Sequence, residues 1–208
     1  MTATRGGRPM RALALNCTLT ASPGGSSTEL LAQQVLDALA EHGVSGEMVR
    51  LVDLNIAPGV KADMGGSDQW PTVRDRILDA DILVLATPTW MGQMSSVAQR
   101  ALERLDAELS ETDSEGRPLT FGKVAVAAVV GNEDGAHRIS ADLYQALNDV
   151  GFTIPAQAVT YWNGEAMHTV DYKDLDSTPD KVATATATLA ANAAHLAGVL
   201  REAAYPAS

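Results

Sequence analysis

Three stretches of this 208-residue chain gather side chains suited to holding a small polar ligand. The first, Cys17–Thr28 (CTLTASPGGSST), carries Thr18, Thr20, Ser22, Ser26, Ser27 and Thr28 with Gly24 and Gly25, and leads into a helix. Hydroxyls, backbone N–H groups and a helix dipole can together hold a phosphate. The stretch contains no Lys or Arg. The Gly-Lys-Ser/Thr of a triphosphate-binding loop is absent, and so is the GxGxxG dinucleotide fingerprint. What remains is a site for one phosphomonoester bound without countercharge, or else a flexible Gly/Ser linker or a simple helix cap. The second stretch, Thr87–Ser95, sets Trp90, Met91 and Gln93 around Gly92, where the backbone can bend freely or approach a ligand closely. The third is Gly131–Ala136 (GNEDGA). Its Glu133 and Asp134 suit either ligand contacts or the acidic start of a helix.

Each stretch follows a segment that reads as a buried strand. Ile82–Ala86 is an unbroken, branched apolar run, the pattern of a strand covered on both faces in a parallel sheet. Thr87-Pro88 is expected to end it, because proline lacks the ladder N–H. Met10–Asn16 and Lys123–Val130 are the strands before the first and third stretches. Glu47–Val52 and a mildly alternating Ile154–Tyr161 complete a set of five. Helices are expected over Glu29–His42, where Leu31, Val35, Ala38 and Leu39 share a face and Gly43 stops the helix, and from Pro71 to Ala80. Others run from Val97 to Leu109 after a Ser95/Ser96 cap, from His137 to Val150, and from the Thr178-Pro179-Asp180 start to about Leu200. Asp53–Gln69, Ser110–Phe121 and Trp162–Ser177 read as long loops. Trp162-Asn163-Gly164 suits a pocket rim or a turn.

Strands alternating with helices throughout predict an α/β fold with a parallel sheet. With strand order 2-1-3-4-5, the first and third strands flank the switch point and all three polar loops emerge on one edge, where open α/β sheets bind ligands. Length predicts a single domain over residues 10–208 behind a disordered leader, residues 1–9. A net charge of −11 and a pI near 4.6 argue against nucleic acid and anionic membranes as partners. A single cysteine, Cys17, excludes an intrachain disulfide and an all-cysteine metal site. It reads as a small buried hydrophobe rather than a nucleophile. No apolar run approaches a membrane span and no signal-peptide core precedes the first strand, so a cytoplasmic location is expected.

Asn16–Leu31 (NCTLTASPGGSSTELL), TPTWMGQMSS and GNEDGA resemble the flavodoxin-like NAD(P)H-dependent FMN reductases. This broad group includes multimeric flavodoxin-like quinone reductases and iron–sulfur flavoproteins. The resemblance extends from Met10 to about Tyr172 and is most specific at TPTWMG. It implies a three-layer αβα sandwich of flavodoxin type, bound FMN, NAD(P)H as co-substrate, and a homodimer or homotetramer. It also implies that Thr18, Ser26, Ser27 and Thr28 hold the FMN phosphate. Pro88, Thr89, Trp90, Met91, Gly92 and Gln93 would line the isoalloxazine, with Gly131, Asn132, Glu133, Asp134 and Gly135 closing its other side. The first loop is longer than the compact Gly-Ser-x-Arg form of many members. The iron–sulfur branch carries a cysteine cluster in the segment corresponding to Asp53–Gln69, and this chain has none there.

The expected activity is hydride transfer from NAD(P)H through FMN to a small acceptor such as a quinone or free flavin, with no catalytic side chain and no metal. A non-catalytic flavodoxin-like electron carrier and a mononucleotide- or phosphate-binding module without redox activity are the alternatives. Long loops at Ser110–Phe121 and Trp162–Ser177 favour a substrate pocket over a minimal carrier.

Overall fold

The apolar runs assemble into one sheet. In the computed structural model, which describes residues 8–167 and 170–206, β1 (Met10–Asn16) pairs in parallel with β2 (Val44–Arg50) on one side and β3 (Ile82–Trp90) on the other. β3 turns back into a short antiparallel β4 (Gln93–Met94) and pairs along its length with β5 (Val124–Gly131), which carries β6 (Val159–Asn163) at the far edge. The order is β2-β1-β3-β5-β6. Leaving out the two-residue β4, this is the expected 2-1-3-4-5.

The helices are α1 (Ser27–Ala40), α2 (Trp70–Asp79), α3 (Ser96–Leu105), α4 (Ala136–Asp149) and α5 (Asp180–Glu202). Successive strand side chains point to opposite faces, which divides the core into two layers. Ala12, Ala14, Val84, Ala86, Val126 and Ala128 pack against Leu31, Val35 and Leu39 of α1 and Leu189, Ala190 and Ala193 of α5. Leu13, Leu15, Leu83, Leu85, Ala127 and Val129 pack against Trp70, Val73 and Ile77 of α2, Ala98 and Leu105 of α3, and Ile139 and Leu143 of α4. Both faces are covered, so the central strands are apolar through their middles, at Ala12–Leu15, Ile82–Ala86 and Val124–Val130. Each fully buried Leu or Ile contributes about 1.5–3 kcal/mol.

Four boundaries differ from expectation by three residues or more. β3 does not stop at Thr87-Pro88 but runs on to Trp90. The last ladder bond toward β1 goes from Cys17 N–H to Ala86 O. Pro88 points to that same side, where β1 has already left the sheet, so its missing N–H breaks no pairing. β2 begins at Val44 rather than Glu47, because pairing with Met10 of β1 starts there, and Leu51–Asp53 forms a 3-10 turn. The sixth strand begins late. Thr153 bonds to Lys123 and Ala125 at 2.9 and 3.0 Å, Pro155 interrupts the ladder, and pairing resumes at Val159. α3 tightens into a 3-10 turn over Asp106–Leu109.

Of the expected leader, residues 1–7 lie outside the described residues. Arg8 forms an ion pair with the buried Asp81 at 3.0 Å.

Candidate active site

The loops after β1, β3 and β5 meet at the sheet edge and line a cleft of about 410 Å³, within the usual range for small-ligand sites.

The β1–α1 loop forms one wall, built by short-range bonds. Asn16 Oδ1 accepts the Thr18 N–H at 3.1 Å, and Thr18 Oγ1 accepts the Thr20 N–H at 3.2 Å. Arg50 of β2 holds the loop from behind: its guanidinium donates to Thr20 O and Gly24 O at 3.2 and 2.8 Å and pairs with Glu29. Ser22 donates its N–H and hydroxyl to Asp53 at 2.8 and 2.6 Å, and these bonds hold that carboxyl below the usual carboxylate range. Ser26 caps α1, its Oγ accepting the Glu29 N–H at 3.2 Å. A hydroxyl that accepts still has its own hydrogen to donate. The N–H groups of Ser27 and Thr28 open the helix and have no intrahelical acceptor. Thr18, Thr20, Ser26, Ser27 and Thr28 all line the cleft.

The second wall is the end of β3. Thr89 pairs with Met94 and Trp90 with Gln93 around a two-residue turn, Met91-Gly92. Both turn residues have positive φ, 54° and 71°, as a tight hairpin matching the strand twist requires. Pro88, Thr89 and Trp90 line the cleft. Met91 sits at the turn, 89% exposed, and neither it, Gly92 nor Gln93 reaches the cleft. The hairpin direction explains this: the strand lines the site while its tip projects past it.

The third wall is Gly131–Glu133. The Glu133 carboxylate accepts the Met91 and Gly92 N–H groups at 2.8 and 3.1 Å, clamping the β5–α4 loop onto the hairpin. Gly135, at φ 148°, lies so close that a Cβ there would come within 2.9 Å of Gly92 Cα. Gly131, Asn132 and Glu133 line the cleft, whereas Asp134 and Gly135 hold the loop against the hairpin outside it.

A fourth wall comes from the loop after β6, most of which sequence reasoning did not select. Ala166, Met167, Asp171, Tyr172 and Lys173 line the cleft with Trp162. The Gly164 N–H donates to Gly131 O at 2.8 Å, and Asn132 Nδ2 donates to Asp171 Oδ1 at 3.0 Å. Tyr172 packs its ring 5.5 Å from Trp162 and donates its hydroxyl to Gln34 of α1 at 2.7 Å. Burial raises the Tyr172 pKa. The Lys173 N–H donates to Ser27 Oγ at 3.2 Å. The hydroxyl loop itself lacks a cation, as its sequence says, but Lys173 arrives beside it from 146 positions further along the chain. The signal available in the sequence was slight: aromatic Trp162 and Tyr172 in a segment that reads as a long loop.

The buried Cys17 directly follows β1 with its thiol pKa pushed up by burial, which keeps it protonated and unreactive. His137 stands edge-on to Tyr161 at 5.3 Å. His168 lies outside the described residues.

An αβα sandwich with a polar cleft at its switch point defines a flavodoxin-like mononucleotide-binding protein. Residues 10–166 match the family described as NADPH-dependent FMN reductase, and the chain belongs to that family. FMN is the cofactor that goes with it, with NAD(P)H as co-substrate. The chain is 33% identical, over 94% of its length and 80% of the relative's, to 8-demethyl-8-aminoriboflavin-5′-phosphate synthase of Streptomyces davaonensis. It superposes with TM-score 0.85 and 30% identity on RosB with bound 8-demethyl-8-formylriboflavin-5′-phosphate, covering 94% of this chain and 82% of that one. It is also 40% identical, over 81% of its length, to a protein of Mycobacterium bovis named divalent metal cation transporter MntH. The chain spans only 25% of that relative's length. Among the described residues, no helix is long and apolar enough to cross a membrane.

The residues present fit FMN. Hydroxyls and N–H groups at the α1 N-terminus suit a terminal phosphate, and Trp90 and Trp162 offer flat apolar surface to a ring. Thr89 Oγ1, in the cleft wall, is buried and has no hydrogen-bond partner among the described residues. A buried hydroxyl left so is costly unless a ligand or water satisfies it.

Proposed function

We propose that this protein holds FMN in the cleft and passes electrons from NAD(P)H through it to a small acceptor such as a quinone or free flavin. The observation that carries the reading is the hydroxyl and N–H cradle at the start of α1, sharing one cleft with the ends of β3 and β5. Bound FMN supplies the redox chemistry, accepting hydride from a nicotinamide and delivering two electrons onward. The side chains bind and orient. Thr18, Ser26, Ser27 and Thr28 take the phosphate. Pro88, Thr89 and Trp90 flank one side of the isoalloxazine, and Gly131, Asn132 and Glu133 the other. Met91, Gly92, Gln93, Asp134 and Gly135 act one step removed, by shaping the hairpin and the loop clamped to it. The proposed assembly is a homodimer or homotetramer, and the proposed location is the cytoplasm. Protein incubated with FMN and desalted should keep the visible flavin absorbance and lose it on anaerobic addition of NADPH or NADH. Desalted protein without a flavin band, or a band that both nicotinamides leave unchanged, would remove the reading.

A second reading has its own support. The synthase and RosB similarities, at 33% and 30% identity over most of both chains, involve one protein named for a riboflavin phosphate derivative and one whose structure holds such a derivative as a bound intermediate. In that reading the flavin nucleotide is the substrate and leaves altered. Mass spectrometry of the flavin released after turnover separates the two: unchanged FMN supports the reductase, a modified ring the second reading.

A further inference from the structure

Lys173 is the only cationic side chain among the described residues lining the cleft. Its surroundings are acidic: Nζ lies 2.6 Å from Asp174 Oδ2 and 3.5 Å from Asp171 Oδ2, and Glu133 and Asp171 also line the cleft. Its backbone is anchored at the hydroxyl wall through the N–H bond to Ser27 Oγ. Its stem lies along the same loop, with Cδ 3.7 Å from where a Gly25 Cβ would stand. The four-carbon stem therefore starts beside the first turn of α1 and carries three rotatable donors. The neighbouring carboxylates raise the Lys173 pKa, Asp174 foremost, so the ammonium stays charged at neutral pH.

The rest of the hydroxyl wall offers only neutral donors to a phosphate dianion. Arg50, the one strong cation behind that wall among the described residues, already serves two carbonyls and Glu29. In a chain of net charge −11, an uncompensated dianion would be repelled by the acidic lining. We propose that Lys173 is the countercharge for the flavin 5′-phosphate, exchanging its Asp171 and Asp174 contacts for the phosphate when the nucleotide enters. The exchange keeps the ammonium paired in both states. It also makes Lys173 the residue by which this cleft discriminates a flavin phosphate from an unphosphorylated flavin. Arg50 is then a positioning residue that shapes the loop without touching the ligand.

The inference rests on the FMN reading, and one titration series tests the two separately. Dissociation constants for FMN and riboflavin would be measured by flavin fluorescence on wild type, Lys173→Gln and Lys173→Arg, each at low and high salt. Wild type should prefer FMN. Loss of one charge-assisted contact in Lys173→Gln should weaken FMN about tenfold, leave riboflavin affinity unchanged and flatten the salt dependence. Lys173→Arg should retain most of the FMN preference. The Ser27 bond uses the main-chain N–H, so both variants keep it. The melting temperatures of the apo forms check that the loop survives. If wild type binds riboflavin as tightly as FMN, or binds neither, the FMN phosphate reading itself fails and the inference with it. If wild type prefers FMN and Lys173→Gln keeps that preference, or loses FMN and riboflavin affinity equally, the assignment of Lys173 fails alone.

Discussion

Trp90 is the side chain on which a binding role and a structural one diverge most cleanly. It closes β3 at the cleft wall and is 55% exposed, whereas Trp70 on α2 is wholly buried in the core. A half-exposed indole adds little to the folded state, and surface substitutions usually change stability by about 0.5 kcal/mol or less. Against a planar ring it contributes about 1 kcal/mol beyond burial. Trp90→Ala should therefore lower FMN affinity several-fold and alter the apparent affinity for NAD(P)H, while the apo melting temperature stays close to wild type. A large apo destabilisation with unchanged FMN affinity would assign Trp90 to the scaffold.

At the scale of elements, the site depends on loops being clamped to one another. Glu133 ties the β5–α4 loop to the hairpin, and Gly135 permits the approach. Gly135→Ala would place a Cβ against Gly92 backbone at a φ that L side chains rarely adopt. Such strain costs about 1–3 kcal/mol. The variant should melt earlier and bind FMN more weakly, because the hairpin must move to relieve the contact. Loss of stability with FMN affinity intact would show that the hairpin position does not matter to the ligand.

A second clamp organises the long segment before α2. Buried Arg104 of α3 donates to Ala57 O and Lys61 O at 2.9 and 2.8 Å, pairs with buried Asp68 at 2.8 Å, and stacks 5.5 Å from the Trp70 ring. The guanidinium, with N–H groups of Met64, Trp70 and Ala57, holds the Asp68 carboxyl well below the usual carboxylate range. A carboxyl depressed on folding adds stability above its unfolded pKa, and that stability drains as pH falls toward the folded value. Arg104→Met leaves Asp68 buried and unpaired, which costs about 3–5 kcal/mol near neutrality. The cost should shrink through the acid range, because the buried Asp68, without its cation, takes up a proton at a higher pH than the paired carboxyl does. Urea midpoints of both proteins across that range check the sign. A gap that widens in acid would contradict the assignment.

For the whole molecule, large apolar residues stand exposed around the cleft mouth: Trp90 and Met91 on the hairpin, Met167 on the fourth wall and Leu19 on the first loop. Exposed aromatic and Met side chains in one region suit burial against another chain. Light scattering at micromolar concentration with FMN bound should give a dimer or tetramer. A monomer would leave the apolar rim to the acceptor alone.

The strand order and the three loops at the switch point were legible in the chain itself. Apolar runs such as Ile82–Ala86 report burial on both faces directly, and hydroxyl and glycine clusters mark where backbone donors collect. Ser95 was readable as a cap because capping is local chemistry. Only the tertiary structure decided that β3 runs past Pro88, since the direction of a missing N–H matters only once its neighbour strand has ended. Only the assembled sheet decided that Met91, Gln93 and Asp134 fall outside the cleft and that Asp171, Tyr172 and Lys173 fall inside it. Those three sit in a segment with no burial period to read. Their place follows from β6 pairing with β5 and from Tyr172 bonding to α1, contacts between parts of the chain far apart in sequence.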